Sequence, residues 1–366
     1  MSKKVYLHVG FHKTGTTAIQ ESLFANSEVL ENLALNYVTG GGKAAHKAAW
    51  ALSGRTWGWK KRGGSKTPIS EWKKSLRKIK FSSKSSLLSS EFFSELTDKQ
   101  LARLSKDLNG LDVQIIFTLR PLSKILPSSY QQHLKYGLKA SYSQWLADIF
   151  AEPNESKLTP SFWKRHNHAK VIERWVKVFG NSNTHLVIVD EDKPEQLYRS
   201  FEEILNIPNQ TLTSVKSVGS NRSLSYAEIS LLLAINKAFP ADRSWADYEL
   251  FIRKSAIAHL TNEVKLTSAD EKLLTPQWAI DRATELVAKS VSSIEAADLK
   301  VYGDLRNLLN NDLRIGENQE ISQIPLAAAT SALLAFEKEP ILQQYSSKEI
   351  FREATVRLKR FAKKTF

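Results

Sequence analysis

A short strand, a glycine-bracketed turn and a helix, joined without a gap near residue 10, leave this chain few ways to fold. Residues 5–9 are apolar and include two valines. They run into Gly10-Phe11-His12-Lys13-Thr14-Gly15-Thr16-Thr17, and helix-forming residues continue from Ala18 to about Ala25. Strand, glycine-rich turn and helix together bind phosphate: successive backbone N–H groups form a concave nest, and the helix start adds positive potential. The alternative is a Gly/Thr turn that only caps a helix.

The spacing is G-x-x-x-x-G, but Thr16-Thr17 follows the second glycine where a nucleoside-triphosphate loop carries Lys and then Ser or Thr. The lysine stands inside the loop instead, at Lys13. From there it would meet a group bonded to a single 5′-phosphate, with the Thr16 and Thr17 hydroxyls and N–H groups holding that phosphate. The third predicted strand ends in Thr118-Leu119-Arg120-Pro121 and supplies no acid to hold magnesium, which weighs against magnesium-dependent phosphoryl transfer.

Further strands are predicted at 86–89, 113–119 and 185–189, with helices around 97–108, 122–136, 163–179 and 195–205. Short apolar strands alternating with helices predict an α/β fold, a parallel sheet covered on both faces by helices. From Leu224 the periodicity is helical, at 225–238, 246–260, 277–295, 326–338 and 347–364, and residues 39–43 and 60–67 read as loops. The expected organisation is a nucleotide-binding core over 1–223 and a mostly helical part over 224–366.

Two motifs then resemble the sulfotransferase family. Residues 6–20, YLHVGFHKTGTTAIQ, resemble its loop for the 5′-phosphosulfate of 3′-phosphoadenosine 5′-phosphosulfate (PAPS). The strand end Phe117-Thr118-Leu119-Arg120, with Ser128 eight residues after the arginine, resembles its 3′-phosphate site; Ser129 is the alternative serine. A guanidinium pairs bidentately with a terminal phosphate, which suits Arg120 to that place. Read alone, Arg120 is a surface arginine and Ser128 a helix cap. The resemblance runs in order over residues 4–205. It implies a P-loop-type parallel sheet and PAPS as co-substrate, leaving adenosine 3′,5′-bisphosphate, with no metal. His12, Lys13, Thr14, Gly15, Thr16, Thr17, Arg120 and Ser128 would bind the donor.

Sulfuryl transfer needs a base for the acceptor proton, an in-line geometry and stabilisation of the leaving phosphate. Lys13 suits the last role. Glu91, just after the second strand, is the first candidate base, in the region where glycan sulfotransferases often place a glutamate. Its alternative is a cap for the helix that follows. His46 ranks second and His12 third, as imidazoles available near neutrality. His133, His166 and His168 read as surface or structural residues. The loop Asn221-Arg222-Ser223 either folds over the nucleotide or belongs to a capping box of Ser225 and Glu228.

Charge separates the two substrates. The chain of 366 residues carries 52 Lys+Arg and 38 Asp+Glu, net +14. Residues 43–84 hold thirteen of the cations and one acid, Glu71, for +12; residues 346–366 carry +5, and the remainder sums to −3. The basic segment also holds Trp50, Trp57, Trp59, Trp72 and Phe81, the composition of a surface that stacks on rings while neutralising anions. It is expected to border a glycan or other extended, anionic acceptor, as an ordered cleft or a lid. For Trp50 and Trp72 the competing reading is packing into amphipathic helices.

No cysteine is present, which removes disulfides, thiolate-ligated metals and thiol nucleophiles. No stretch reaches the ~20 apolar residues of a membrane span, and the first residues are too short in apolar run for a signal peptide, so a cytoplasmic protein is expected. The basic, amphipathic residues 347–364 either pack on the body or touch an anionic membrane. Two other functions compete: a P-loop kinase of a small molecule, and a non-catalytic nucleic-acid-binding module built on residues 43–84, with nucleic acid the less favoured partner.

Overall fold

The computed structural model describes residues 3–54, 66–151, 155–215, 222–262, 271–310 and 314–319, with a few single positions besides. The expected helices at 326–338 and 347–364, the loop tryptophans Trp57 and Trp59, and Asn221 lie outside the described residues. The chain divides into two units, one of residues 1–218 and 272–320, the other of 219–271 and 321–366.

The first unit is built on a six-stranded sheet, all of whose pairings are parallel. In chain order its elements begin β1 (Lys4–His8), α1 (Thr16–Ala25), α2 (Ser27–Asn32), β2 (Leu35–Tyr37), α3 (His46–Ser53), α4 (Ser70–Phe81) and β3 (Ser85–Ser89). A 3₁₀ turn, Glu91–Glu95, leads to α5 (Asp98–Asp107) and β4 (Asp112–Leu119). There follow α6 (Leu122–Lys135), α7 (Tyr142–Ile149), α8 (Phe162–His166), α9 (His168–Phe179), β5 (Thr184–Ile188) and α10 (Glu195–Leu205).

In the second unit α11 (Tyr226–Ala238) opens with the Ser225/Glu228 capping box. Then come α12 (Trp245–Tyr248), a π-helical stretch Glu249–Ile257 and α13 (Ala258–Asn262). The chain returns to the first unit with α14 (Gln277–Ala296) and the edge strand β6 (Lys300–Tyr302).

Strand order is β2-β3-β1-β4-β5-β6. β1 sits inside the sheet because Val5, Tyr6 and Leu7 are buried, as a strand covered on both faces requires. The chain leaves β1 toward β3 on one side and later crosses to β4 on the other. That reversal opens a crevice at the carboxyl ends of the strands, where ligands bind in sheets of this kind. Beneath it one face carries Tyr6, Leu87, Ile116 and Val187, packed against Ile19 and Leu23 of α1, Leu30 of α2 and Phe201 of α10. Fully burying each such side chain is worth about 1.5–3 kcal/mol, so the sheet and α1 hold the crevice rigidly.

Candidate active site

Between β1 and α1 the chain must turn sharply. Gly10 and Gly15 take positive φ, 57° and 79°. A Cβ on Gly10 would stand 2.7 Å from Thr16 Cγ2, so only glycine fits that position. Lys13 is left-handed too, with φ 68°, at a typical cost of about 1–2 kcal/mol for a side-chain-bearing residue. Arg120 Nη1 donates to the Lys13 carbonyl at 3.4 Å and so helps hold the turn. Gly15 is the N-cap of α1, with no side-chain cap and no acid in the first turn. The Thr16 and Thr17 N–H groups belong to the first turn, whose donors have no acceptor within the helix.

Thr14 uses its side chain to build the loop. Its side chain is fully buried: Oγ1 donates to the Phe11 carbonyl at 2.7 Å and lies 2.7 Å from Thr118 Oγ1. Thr118 Oγ1 lies 3.4 Å from His8 Nε2, and His8 Nδ1 is 2.7 Å from Ser89 Oγ. This polar chain crosses β3, β1 and β4 and ends in the loop. Burial lowers the His8 pKa to about 4, with nearby Glu91 working in the opposite direction, so the ring is neutral at pH 7. Thr14 can face a phosphate only with its backbone; Thr16 is buried, and Thr17 faces the cleft.

The candidate bases Glu91 and His46 lie close to each other. Glu91 opens the 3₁₀ turn, and the capping role belongs to Ser90, whose side chain accepts from Phe92 N. Gln20 Nε2, on α1, donates to Glu91 Oε2 at 3.2 Å. Burial pushes the Glu91 carboxyl up, but the fields of His12 and His46 and the bonds from its own backbone and Gln20 outweigh it, and its pKa lies below the ordinary value. His46 starts α3, with Nδ1 2.8 Å from Ser90 Oγ and 4.0 Å from Glu91 Oε2. Its ring stacks on Trp50 at 5.7 Å and meets the edge of Phe92 at 5.1 Å.

His12 turns away from this group, with Nε2 3.0 Å from Glu95 Oε1, an oxygen that also accepts from Arg165 Nε at 2.9 Å. Burial, and then Arg165, lower its pKa despite Glu95. As a third base it is therefore engaged elsewhere. Glu95, Arg165, Gln20, Ser90 and the His8 chain were not singled out from sequence. The one available signal was His8 itself, a histidine inside an apolar strand. His133, His166 and His168 are buried rather than on the surface.

Thr17, Gln20, Glu91, His46 and Trp50 share one cleft of about 360 Å³ with Gly40, Gly41, Gly42, Lys43 and Lys47. Lys43 Nζ pairs with Glu21 on α1 at 3.0 Å. Trp72 packs inward, fully buried, with Nε1 donating to Asp107 at 2.7 Å, while Lys73, Lys74, Arg77, Lys78 and Lys80 of α4 are exposed.

Cations dominate the surroundings of Lys13. Burial lowers the Lys13 pKa to about 8, and Lys135, Arg120 and Arg165 add to the shift against Glu91. Arg120 pairs with Glu191 in the turn after β5, and its Nε is buried with no partner among the described residues. Ser128 lies inside α6, which begins two residues after Arg120, and its Oγ donates to the Ile125 carbonyl at 2.9 Å. Arg222 is used within its own unit, donating to both oxygens of Glu228 at 2.7 and 2.8 Å.

Among the described residues no helix is long and apolar enough to cross a membrane. No family model matches the chain, and no curated protein matches it. Among solved structures, a sulfotransferase from Alicyclobacillus acidocaldarius is similar to 81% of this chain and 96% of its own, with 13% identity and a TM-score of 0.41. A likeness at that score carries no argument about the site, whose reading rests on its own residues.

Proposed function

We propose that the protein moves a sulfuryl group from PAPS to a hydroxyl or amine of a glycan or glycan-containing acceptor. The observation that carries this reading is that Glu91 and the first turns of α1 face one cleft, with Gln20 joining them. The start of the helix that follows the loop and a carboxylate thus address the same space from two sides. The donor side has the chemistry the nucleotide requires. Lys13, lowered to about 8 by burial and by neighbouring cations, stands where an anion relieves their mutual repulsion.

In this reading the acceptor oxygen forms its bond to sulfur while the bond from sulfur to the 5′-phosphate breaks. The acceptor proton passes to Glu91, already ionised at neutral pH, and the electron pair leaves on the phosphate beside Lys13. Arg120 serves the 3′-phosphate. His46, held by Ser90, orients Glu91 and is the alternative base. Trp50 offers a flat face to a sugar ring, and Lys43 and Lys47 supply cations for an acidic one.

Calorimetry with adenosine 3′,5′-bisphosphate against magnesium–ATP tests the donor, and labelled PAPS with a panel of glycans tests the acceptor. Binding of the bisphosphate in preference to ATP, weakened by Arg120→Ala, is the expected result. Preference for ATP would end this reading in favour of a kinase.

A further inference from the structure

β4 and β5 are neighbours, with Val189 N donating to the Leu119 carbonyl at 2.8 Å, so the turn after β5 emerges beside Arg120. There one carboxylate meets two cations. Glu191 Oε1 pairs closely with Arg120 Nη2, and Oε2 takes Lys124 Nζ, from the first turn of α6, at 3.2 Å. The partners are unequally placed: the Arg120 and Lys124 side chains are 22% and 13% exposed, Glu191 43%. The two cations are the more buried partners, and the acid is the more exposed one.

The turn itself is anchored independently of Glu191. Asp190 accepts from Asp192 N at 3.0 Å and from Asn307 Nδ2 at 3.3 Å. The Glu191 side chain can therefore swing out on its own torsions without unmaking the turn. What it would leave behind is a guanidinium and an ammonium set for two oxygens of one anion, the arrangement a terminal phosphate fills with more charge and one more oxygen.

We infer that Glu191 is a stand-in anion. It holds Arg120 and Lys124 together until the 3′-phosphate of the donor takes its place, and Lys124 is thereby a second cation of that subsite. This rests on the sulfotransferase reading above. It has a thermodynamic consequence: the nucleotide must displace a carboxylate already paired with both cations, so Glu191 lowers donor affinity selectively for nucleotides that carry a 3′-phosphate. By the same factor it narrows the preference for such nucleotides over those without the phosphate, which bind with the Glu191 pair left in place.

The test compares adenosine 3′,5′-bisphosphate with adenosine 5′-phosphate by calorimetry on wild type, Glu191→Gln and Lys124→Ala, with thermal melts to show that each is folded. Glu191→Gln is expected to tighten the bisphosphate about three- to fivefold, the upper part of the range of a partly exposed ion pair, and to leave the monophosphate within about twofold. Lys124→Ala is expected to weaken only the bisphosphate. Binding by Glu191→Gln alone would also support the inference, with Glu191 as a stronger competitor.

Four results would overturn it. Equal or weaker binding of the bisphosphate by Glu191→Gln than by wild type would make Glu191 a permanent clamp on Arg120. Equal tightening of both nucleotides would be a general effect of charge. An unchanged Lys124→Ala would remove Lys124 from the subsite. No bisphosphate binding by any of the three proteins would fail the sulfotransferase reading, and the inference with it.

Discussion

His46 Nδ1 stands 2.8 Å from Ser90 Oγ and 4.0 Å from Glu91 Oε2, so the imidazole is held by one residue while it faces the carboxylate of the next. This separates the two candidate bases by role. If Glu91 takes the proton, Glu91→Gln loses about 10²–10⁴ of sulfate-transfer rate, the usual contribution of a positioned base. His46→Ala then loses about tenfold or less and keeps its acid limb, since the carboxylate remains. Initial rates with labelled PAPS over pH 4–9 check this; the reverse order of losses would make His46 the base.

The alkaline side of the same profile belongs to Lys13. Its pKa is lowered to about 8, so the cation is complete below that value and is lost as pH rises through it. kcat/KM, which reports the free protein, is expected to fall above about pH 8. kcat is expected to hold to higher pH, because a bound anion stabilises the ammonium. Lys13→Arg, which stays charged, should abolish the limb while lowering the maximum rate.

Buried histidines predict acid sensitivity. His8 and His168 are both lowered to about 4 from 6.5, mainly by burial. Below pH 6.5 the unfolded chain binds protons that the folded rings refuse until about pH 4. Stability is thus full above pH 6.5 and falls as pH drops toward 4, by up to roughly 1.4 kcal/mol per unit for each ring. Calorimetric melts at pH 7, 6 and 5 are expected to show a steadily falling Tm, and His168→Leu a flatter dependence.

Thr14→Val removes the hydroxyl that joins the loop to Thr118, leaving the Phe11 carbonyl and Thr118 short of a partner. A loss of about 1–3 kcal/mol in denaturant unfolding is expected, with most of it restored in Thr14→Ser. Bisphosphate binding should weaken in parallel, since the bonded chain fixes the nest. Unchanged stability in Thr14→Val would show that the chain does not hold the loop.

How far the sequence could be read follows from the kind of signal each feature leaves. The expected strands at 86–89 and 113–119 are β3 and β4 to within a residue, because inner strands of a parallel sheet are near-continuous apolar runs. β2 and β6, three residues each at the sheet edges, have too little pattern to be read. The helix expected over 163–179 is two, divided at Asn167, which caps α9 by accepting from Lys170 N. The helix expected over 246–260 holds a π-helical stretch, and α7 was not anticipated. In the candidate site, the placement of Lys13, Glu91, His46 and Arg120 was legible because each sits beside a strand end or glycine turn. The partners that orient them were not. Gln20, Glu95 and Arg165 become neighbours of Glu91 and His12 only once the crossovers are made, and no local spacing encodes that.

That separation along the chain has a consequence for folding. His12 meets Glu95 across 83 residues, Gln20 meets Glu91 across 71, and Arg120 meets the Lys13 carbonyl across 107. No fragment ending before β4 can assemble the anion site, although the loop motif itself is complete by residue 17. Such high contact order delays the site to the late stages of folding. In the proposed sulfotransferase reading, affinity for the nucleotide would then be a property of the finished sheet, and a saturating nucleotide would stabilise the whole unit by mass action, not the loop alone.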